Sequence, residues 1–197
     1  SIKAPLSIVT SPLNVTRSYL EAVCAVKNIS AYITRKVADK LASLFKNDRD
    51  GFEKKWNDIK IVIEYGMLSE EKFFEKSEKF ALYPTVDDKF YTYEELYNKI
   101  KAKQTDKDDK LVILYSSDKQ AQHSYIENAK NKGYEVLLLD SPIVSHLIQK
   151  LESSKEKIQF ARVDSDHIDN LINKEKNKVS KLNDDQKKKL EEIVKNV

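Results

Sequence analysis

The apolar residues of this 197-residue chain change their period near Ala81, and that change requires two kinds of structure in one polypeptide. From Val26 onward, Ile29, Ile33, Val37, Leu41, Leu44 and Phe45 recur every three or four residues, the stripe of a long helix covered on one side. Asn47 or Asp48 can cap a second helix, in which Phe52, Trp56, Ile59 and Ile63 keep the same spacing. Gly66 stands where a helix commonly stops in a left-handed turn. A third, shorter helix is predicted to open at Ser69, with Glu70 and Glu71 complementing its amino-terminal dipole and Phe73, Phe74 and Phe80 facing inward.

Beyond Ala81 the runs at 111–115, 134–139 and 158–163 are short and almost continuously apolar, as strands covered on both faces are. Asp118 can cap a helix through Ala121, Tyr125, Ile126 and Ala129 that closes at Gly133, a crossover that makes the first two strands parallel neighbours. Asp140-Ser141-Pro142 opens another helix carrying Ile143, Leu147, Ile148 and Leu151. Thr92, followed by Glu94 and Glu95, opens an earlier one through Leu96 and Ile100, and Tyr83 or Phe90 can pair at an edge. The predicted class is α/β: a helical segment followed by a small α/β/α sandwich with a mainly parallel sheet. Residues 166–182 read as a polar linker or short helix, and Asn183-Asp184-Asp185-Gln186 begins a last helix with Leu190, Ile193, Val194 and Val197 on one stripe.

Composition removes several classes of function. The single cysteine, Cys24, excludes an internal disulfide and argues against a secreted framework. No run is long enough to cross a bilayer and the start lacks a signal-peptide layout, so a cytoplasmic protein without a membrane partner is expected. The 35 basic and 32 acidic residues are interspersed, and Lys187-Lys188-Lys189 lies between acidic pairs, so nucleic acid is not an expected partner. Three isolated glycines make no phosphate-binding loop. His123, His146 and His167 fall on three different elements without paired cysteines, so no metal site is expected. Asp87-Asp88 and Asp108-Asp109 are in turn-like stretches, and no general acid and base pair is visible.

Arg17 stands apart. Between residues 1 and 26 the only formal charges are Lys3, Arg17 and Glu21, in a chain that is 34% charged. A permanently protonated planar fork isolated among apolar neighbours suits a phosphate or carboxylate supplied from elsewhere, although an exposed arginine at a helix start is the ordinary alternative.

Leu13-Asn14-Val15-Thr16-Arg17, with Tyr19-Leu20 and the Val26-Lys27-x-Ile29 helix entry behind it, resembles the middle domain of the heat shock protein 90 chaperones, in their bacterial form. Further blocks follow in that family's order: 59–70 with Lys60, Gly66 and Glu70; Phe80-Ala81; 92–97; 110–115; and 132–140, so the resemblance covers roughly 11–166. It implies that residues 13–17 form a loop whose arginine, Arg17, reaches the γ-phosphate of ATP bound with Mg in an amino-terminal domain outside this chain. Asn14 and Thr16 would support the loop, and Glu21 stands where the family has a glutamine that helps the phosphate contact. The longer protein would be an ATPase, and this piece alone would be inactive and hold no cofactor.

The resemblance also implies that the helix after the 134–139 strand offers Ser145, His146 and Gln149 to unfolded client proteins, with His146 at the family's tryptophan. It divides the chain into the end of a large middle subdomain with the arginine loop (1–25), a helical connector (26–79), a small α/β/α subdomain (80–165), and a linker with the first helix (166–197) toward a dimerising carboxy-terminal domain. The alternative is a stand-alone flavodoxin-like module with a ligand crevice near Ser116-Ser117-Asp118 and Asp140-Ser141.

Overall fold

The computed structural model describes residues 12–174; the helix expected over 183–197 lies outside them. The described residues open on α1 (Pro12–Asn47), with proline at a first helical position where its missing N–H removes nothing. Its carboxy-terminal half packs through Ala38, Leu41, Ala42 and Phe45. Of the predicted stripe, Leu41 and Phe45 lie on this face, whereas Ile33, Val37 and Leu44 are exposed. Asp48 caps α2 (Arg49–Lys54) by accepting from the Gly51 N–H at 2.9 Å.

The stretch expected to run as one helix from Phe52 is broken at Lys55, which ends α2 and precedes α3 (Trp56–Ser69). Gly66 does not stop α3. The helix passes through it to Ser69, and a methyl group added at Gly66 would lie 2.8 Å from the Phe73 ring. The glycine therefore admits an aromatic ring against the helix. Ser69 bonds back to the Tyr65 carbonyl at 2.8 Å instead of opening the next helix, and an extended Glu70 precedes α4 (Glu71–Ser77). Phe45, Phe52, Phe80 and Phe73 then form an edge-on chain with centroids 5.5, 6.5 and 5.9 Å apart, a geometry favoured by the ring quadrupoles.

A small hairpin of β1 (Tyr83–Pro84) and β2 (Phe90–Tyr91) follows, the edge pairing anticipated at Tyr83 and Phe90. α5 (Tyr93–Gln104) starts with a reciprocal capping box: Thr92 N–H donates to Glu95 Oε2 at 2.9 Å, and Thr92 Oγ1 accepts from the Glu95 N–H. The remaining elements are β3 (Leu111–Ser116), α6 (His123–Asn131), β4 (Val136–Leu138), α7 (Val144–Ser154), β5 (Ile158–Arg162) and α8 (Ile168–Leu171). The sheet order is β4-β3-β5, parallel throughout, with Leu114 opposite Val136 and Leu111 opposite Ile158. Gly133 closes α6 at φ +73°, in the left-handed conformation that its position demands.

The two sheet faces enter different cores. Val112, Leu114 and Val136 pack with Ile126 and Ala129 of α6 and with Ile168. Leu111, Ile113 and Leu137 pack with Leu96, Leu147 and Leu151, and this cluster continues without a break into Trp56, Phe73 and Phe80. The helical segment and one face of the α/β/α sandwich thus share a single apolar core.

Replacing glycine by alanine inside a helix gains about 1 kcal/mol in propensity, whereas overfilling a packed core costs about 1–3 kcal/mol. Gly66→Ala should therefore lower the urea midpoint; a midpoint raised by the substitution would show that the Phe73 ring yields freely.

Candidate functional site

Arg17 lies early in α1, where the backbone is helical and not the loop that the resemblance implied. Its side chain is 81% exposed, and Nε donates to Glu21 Oε1 at 3.0 Å across one turn. An exposed i, i+4 pair of this kind contributes about 0.3–0.5 kcal/mol, little enough for a better anion to replace the carboxylate. Asn14 is in the first turn of the same helix, and its side chain and that of Thr16 lie outside the described atoms. The i, i+4 spacing of Arg17 and Glu21 signalled their pairing in the sequence, and the sequence reading passed over it.

Ser145, His146 and Gln149 share one exposed side of α7, while Leu147 and Leu151 point into the core. α7 begins at Val144, later than the predicted Asp140 cap, because Ser141 Oγ accepts from the Ile143 N–H and holds the preceding residues in a turn. α3 lies beside it: Lys60 Nζ is 2.6 Å from Asp140 Oδ1. The outer side of α3 exposes Ile61, Val62 and Tyr65, the last two at 64% and 65%. Sequence reading missed this surface, although all three residues fall off the Trp56–Ile59–Ile63 stripe and so were legible as outward.

At the Ser116–Asp118 side of the alternative crevice the loop is filled by its own side chains. Gln122, not Asp118, precedes α6, and its buried Oε1 accepts from Ser116 Oγ at 2.8 Å and from the Ser117 N–H at 3.0 Å. Asp118 Oδ1 accepts from the Gln120 and Ala121 N–H groups, so the loop folds on itself. A cavity of about 290 Å³ lies nearby, between Tyr125, Asn128, Asp164 and His167. Its Asp164 is engaged by Arg162 at 2.5 Å, and the neighbouring Asp166 by Asn170 at 3.0 Å. Among the described residues no three His, Cys, Asp or Glu side chains gather as metal ligands, and no helix is long and apolar enough to cross a membrane.

A long arm bearing an exposed arginine, joined through one core to a three-stranded parallel α/β/α layer with an outward apolar helix, defines a scaffold that presents surfaces. The profile of the family described as Hsp90 protein matches residues 8–197, and the chain belongs to that family. It is 57% identical over 167 residues to the chaperone protein HtpG of Bacteroides thetaiotaomicron, covering 85% of this chain and 24% of that protein. It is 49% identical over 173 residues to the HtpG of Porphyromonas gingivalis, covering 88% and 25%. The chain spans about a quarter of the length of these curated relatives. Among solved structures, the middle domain of a Plasmodium falciparum heat shock protein superposes with a TM-score of 0.55 at 20% identity, over 71% of this chain and 58% of that one. The fold is that of an Hsp90 middle domain.

Gln122→Ala would strand the buried Ser116 hydroxyl and Ser117 N–H, at about 1–3 kcal/mol for each group left unpaired. Urea unfolding should show a loss of that size; unchanged stability would mean that the loop does not depend on the glutamine.

Proposed function

We propose that the chain is the middle-domain segment of an ATP-dependent chaperone, and that Arg17 reaches the γ-phosphate of ATP held with Mg in a domain outside these residues. The observation that carries this reading is the state of Arg17: among the described residues its one charged partner is an exposed glutamate, and its helix continues without interruption into the core. A guanidinium fork suits phosphate oxygens bidentately and keeps its charge at every physiological pH. Bound ATP supplies the phosphoryl group. Arg17 neutralises charge that develops on it, Glu21 holds the arginine until then, and Asn14 supports the turn that carries both.

The exposed side of α7, with Ser145, His146 and Gln149, engages unfolded clients, and the neighbouring Ile61, Val62 and Tyr65 extend it with apolar area. In this reading residues 1–25 end a large middle subdomain, 26–79 connect, 80–165 form the small subdomain and 166–197 lead to a dimerising domain. The longer protein works as a cytoplasmic homodimer in protein folding under stress. The Gln122 side chain occupies the Ser116–Asp118 loop, one of the two places where the flavodoxin-like alternative expects its crevice.

In the full-length protein, Arg17→Ala should lower ATP turnover by a factor on the order of 10², the usual loss when one charge-stabilising donor is removed. Turnover equal to the parent would reject the role of Arg17. Client contact is tested by suppression of aggregation: His146→Trp should improve it and Tyr65→Asp weaken it, both at unchanged thermal stability. Unchanged suppression in both variants would place the client surface elsewhere.

A further inference from the structure

Glu64 is in the middle of α3 and only 7% exposed. Among the described residues, its Oε2 is the one buried side-chain oxygen or nitrogen without a hydrogen-bond partner. The Ser141 hydroxyl, equally buried in the β4–α7 loop, faces the Glu64 side chain. One turn back, Lys60 is already committed to Asp140. α3 therefore meets the β4–α7 loop through two side-chain links, the Lys60–Asp140 ion pair and the sealed Glu64–Ser141 pair.

The other charges around α3 are engaged elsewhere. On α4, Glu71 pairs with Lys150 of α7 and Lys76 with Asp39 of α1, while Glu53 of α2 holds Arg49. Tyr83 on β1 is fully buried, and its hydroxyl is pushed up by burial, with the charge of Glu64 among the lesser causes. His146 of α7 is exposed. Among the described residues the cation whose charge reaches Glu64 is Lys60, already paired with Asp140, so an ionised Glu64 taken out of water is only partly compensated. Burial pushes the Glu64 carboxyl above the usual carboxylate range and the Asp140 charge adds to this, against the opposing pull of Ser141 and Lys60.

We propose that Glu64 is a proton-held latch between the helical segment and the α/β/α layer: while it carries a proton, α3 lies closed on the β4–α7 loop, and release of that proton to solvent loosens the contact. The sign follows from linkage. Because the folded state binds this proton more tightly than the unfolded one, the stabilisation is complete below the ordinary glutamate value and is lost as pH rises through the raised folded value. Within that window, opening of the junction increases about tenfold per pH unit.

The test is the carboxyl ¹³C resonance of Glu64, together with amide exchange of α3 and α7 at several pH values, corrected for intrinsic rates. The latch predicts a Glu64 midpoint above the ordinary carboxylate range and a loss of protection across the same interval. In Glu64→Gln, which is neutral at every pH, that loss should vanish. An ordinary midpoint, or an equal pH dependence in Glu64→Gln, overturns it. Should that variant fail to fold, Ser141→Ala decides: removing the hydroxyl should raise the Glu64 midpoint further, and an unmoved midpoint rejects the pairing.

Discussion

The burial of Phe80 is the contact on which the rest of the structure depends. Its ring, 0% exposed, meets Phe52 and Phe73 edge-on, and through Phe52 it reaches Phe45 on α1. The same apolar cluster contains Leu111, Ile113 and Leu137 of the sheet. One aromatic side chain thus stands between the long helix, the short helices and the strands, and truncating such a residue typically costs about 3–5 kcal/mol. Arg49 adds a polar tie at the edge of this core: its fork grips both Glu95 oxygens, Nε donates to Glu53 at 2.8 Å, and Nη2 donates to the Phe90 carbonyl at 3.1 Å. The Glu95 carboxylate also completes the capping box of α5, so one carboxylate connects helix start, hairpin and α2.

What this core fixes is a direction. From Ala38, the fully buried anchor of α1, to Arg17 the helix runs 21 residues, or roughly 30 Å at the usual rise. A helix of that length transmits any rotation of its anchored end to its tip, so the position of the arginine is set by packing far away from it. The residues proposed to meet clients are carried by α7 and α3, which pack on the same core. The sealed Glu64 lies at the joint between α3 and α7, where a change of charge would alter how one surface is carried relative to the other.

Much of this was legible in the sequence because it depends on local periodicity. The strands around Val112 and Leu137, the Thr92–Glu95 cap and the left-handed Gly133 follow from residue type and spacing, and the structure has each in its expected place. The departures come from tertiary contacts that no spacing reveals. Gly66 looked like a helix end because glycine often is one, whereas here it makes room for the Phe73 ring. Asp118 looked like a helix cap, yet Gln122 holds the loop by turning its amide inward to Ser116. The α1 stripe was drawn too wide because Leu41 and Leu44 both fit a helical period and only the fold decides which is covered: Leu41 and Phe45 pack, while Ile33, Val37 and Leu44 are exposed. The isolation of Arg17 was plain from composition, whereas its pairing with Glu21, which the i, i+4 spacing could have signalled, emerged only from the structure.

The central claim is that the core carries α1 as a rigid arm whose arginine meets a nucleotide bound elsewhere in the longer protein. Cys24, exposed on α1 two turns beyond Arg17, offers a site for a nitroxide label. Pulsed electron paramagnetic resonance between that label and Mn²⁺ bound with nucleotide in the full-length protein, its other cysteines replaced, reads the distance directly. The account predicts a short-distance population with a non-hydrolysable ATP analogue that is lost with ADP; one long distance in both nucleotide states would contradict it.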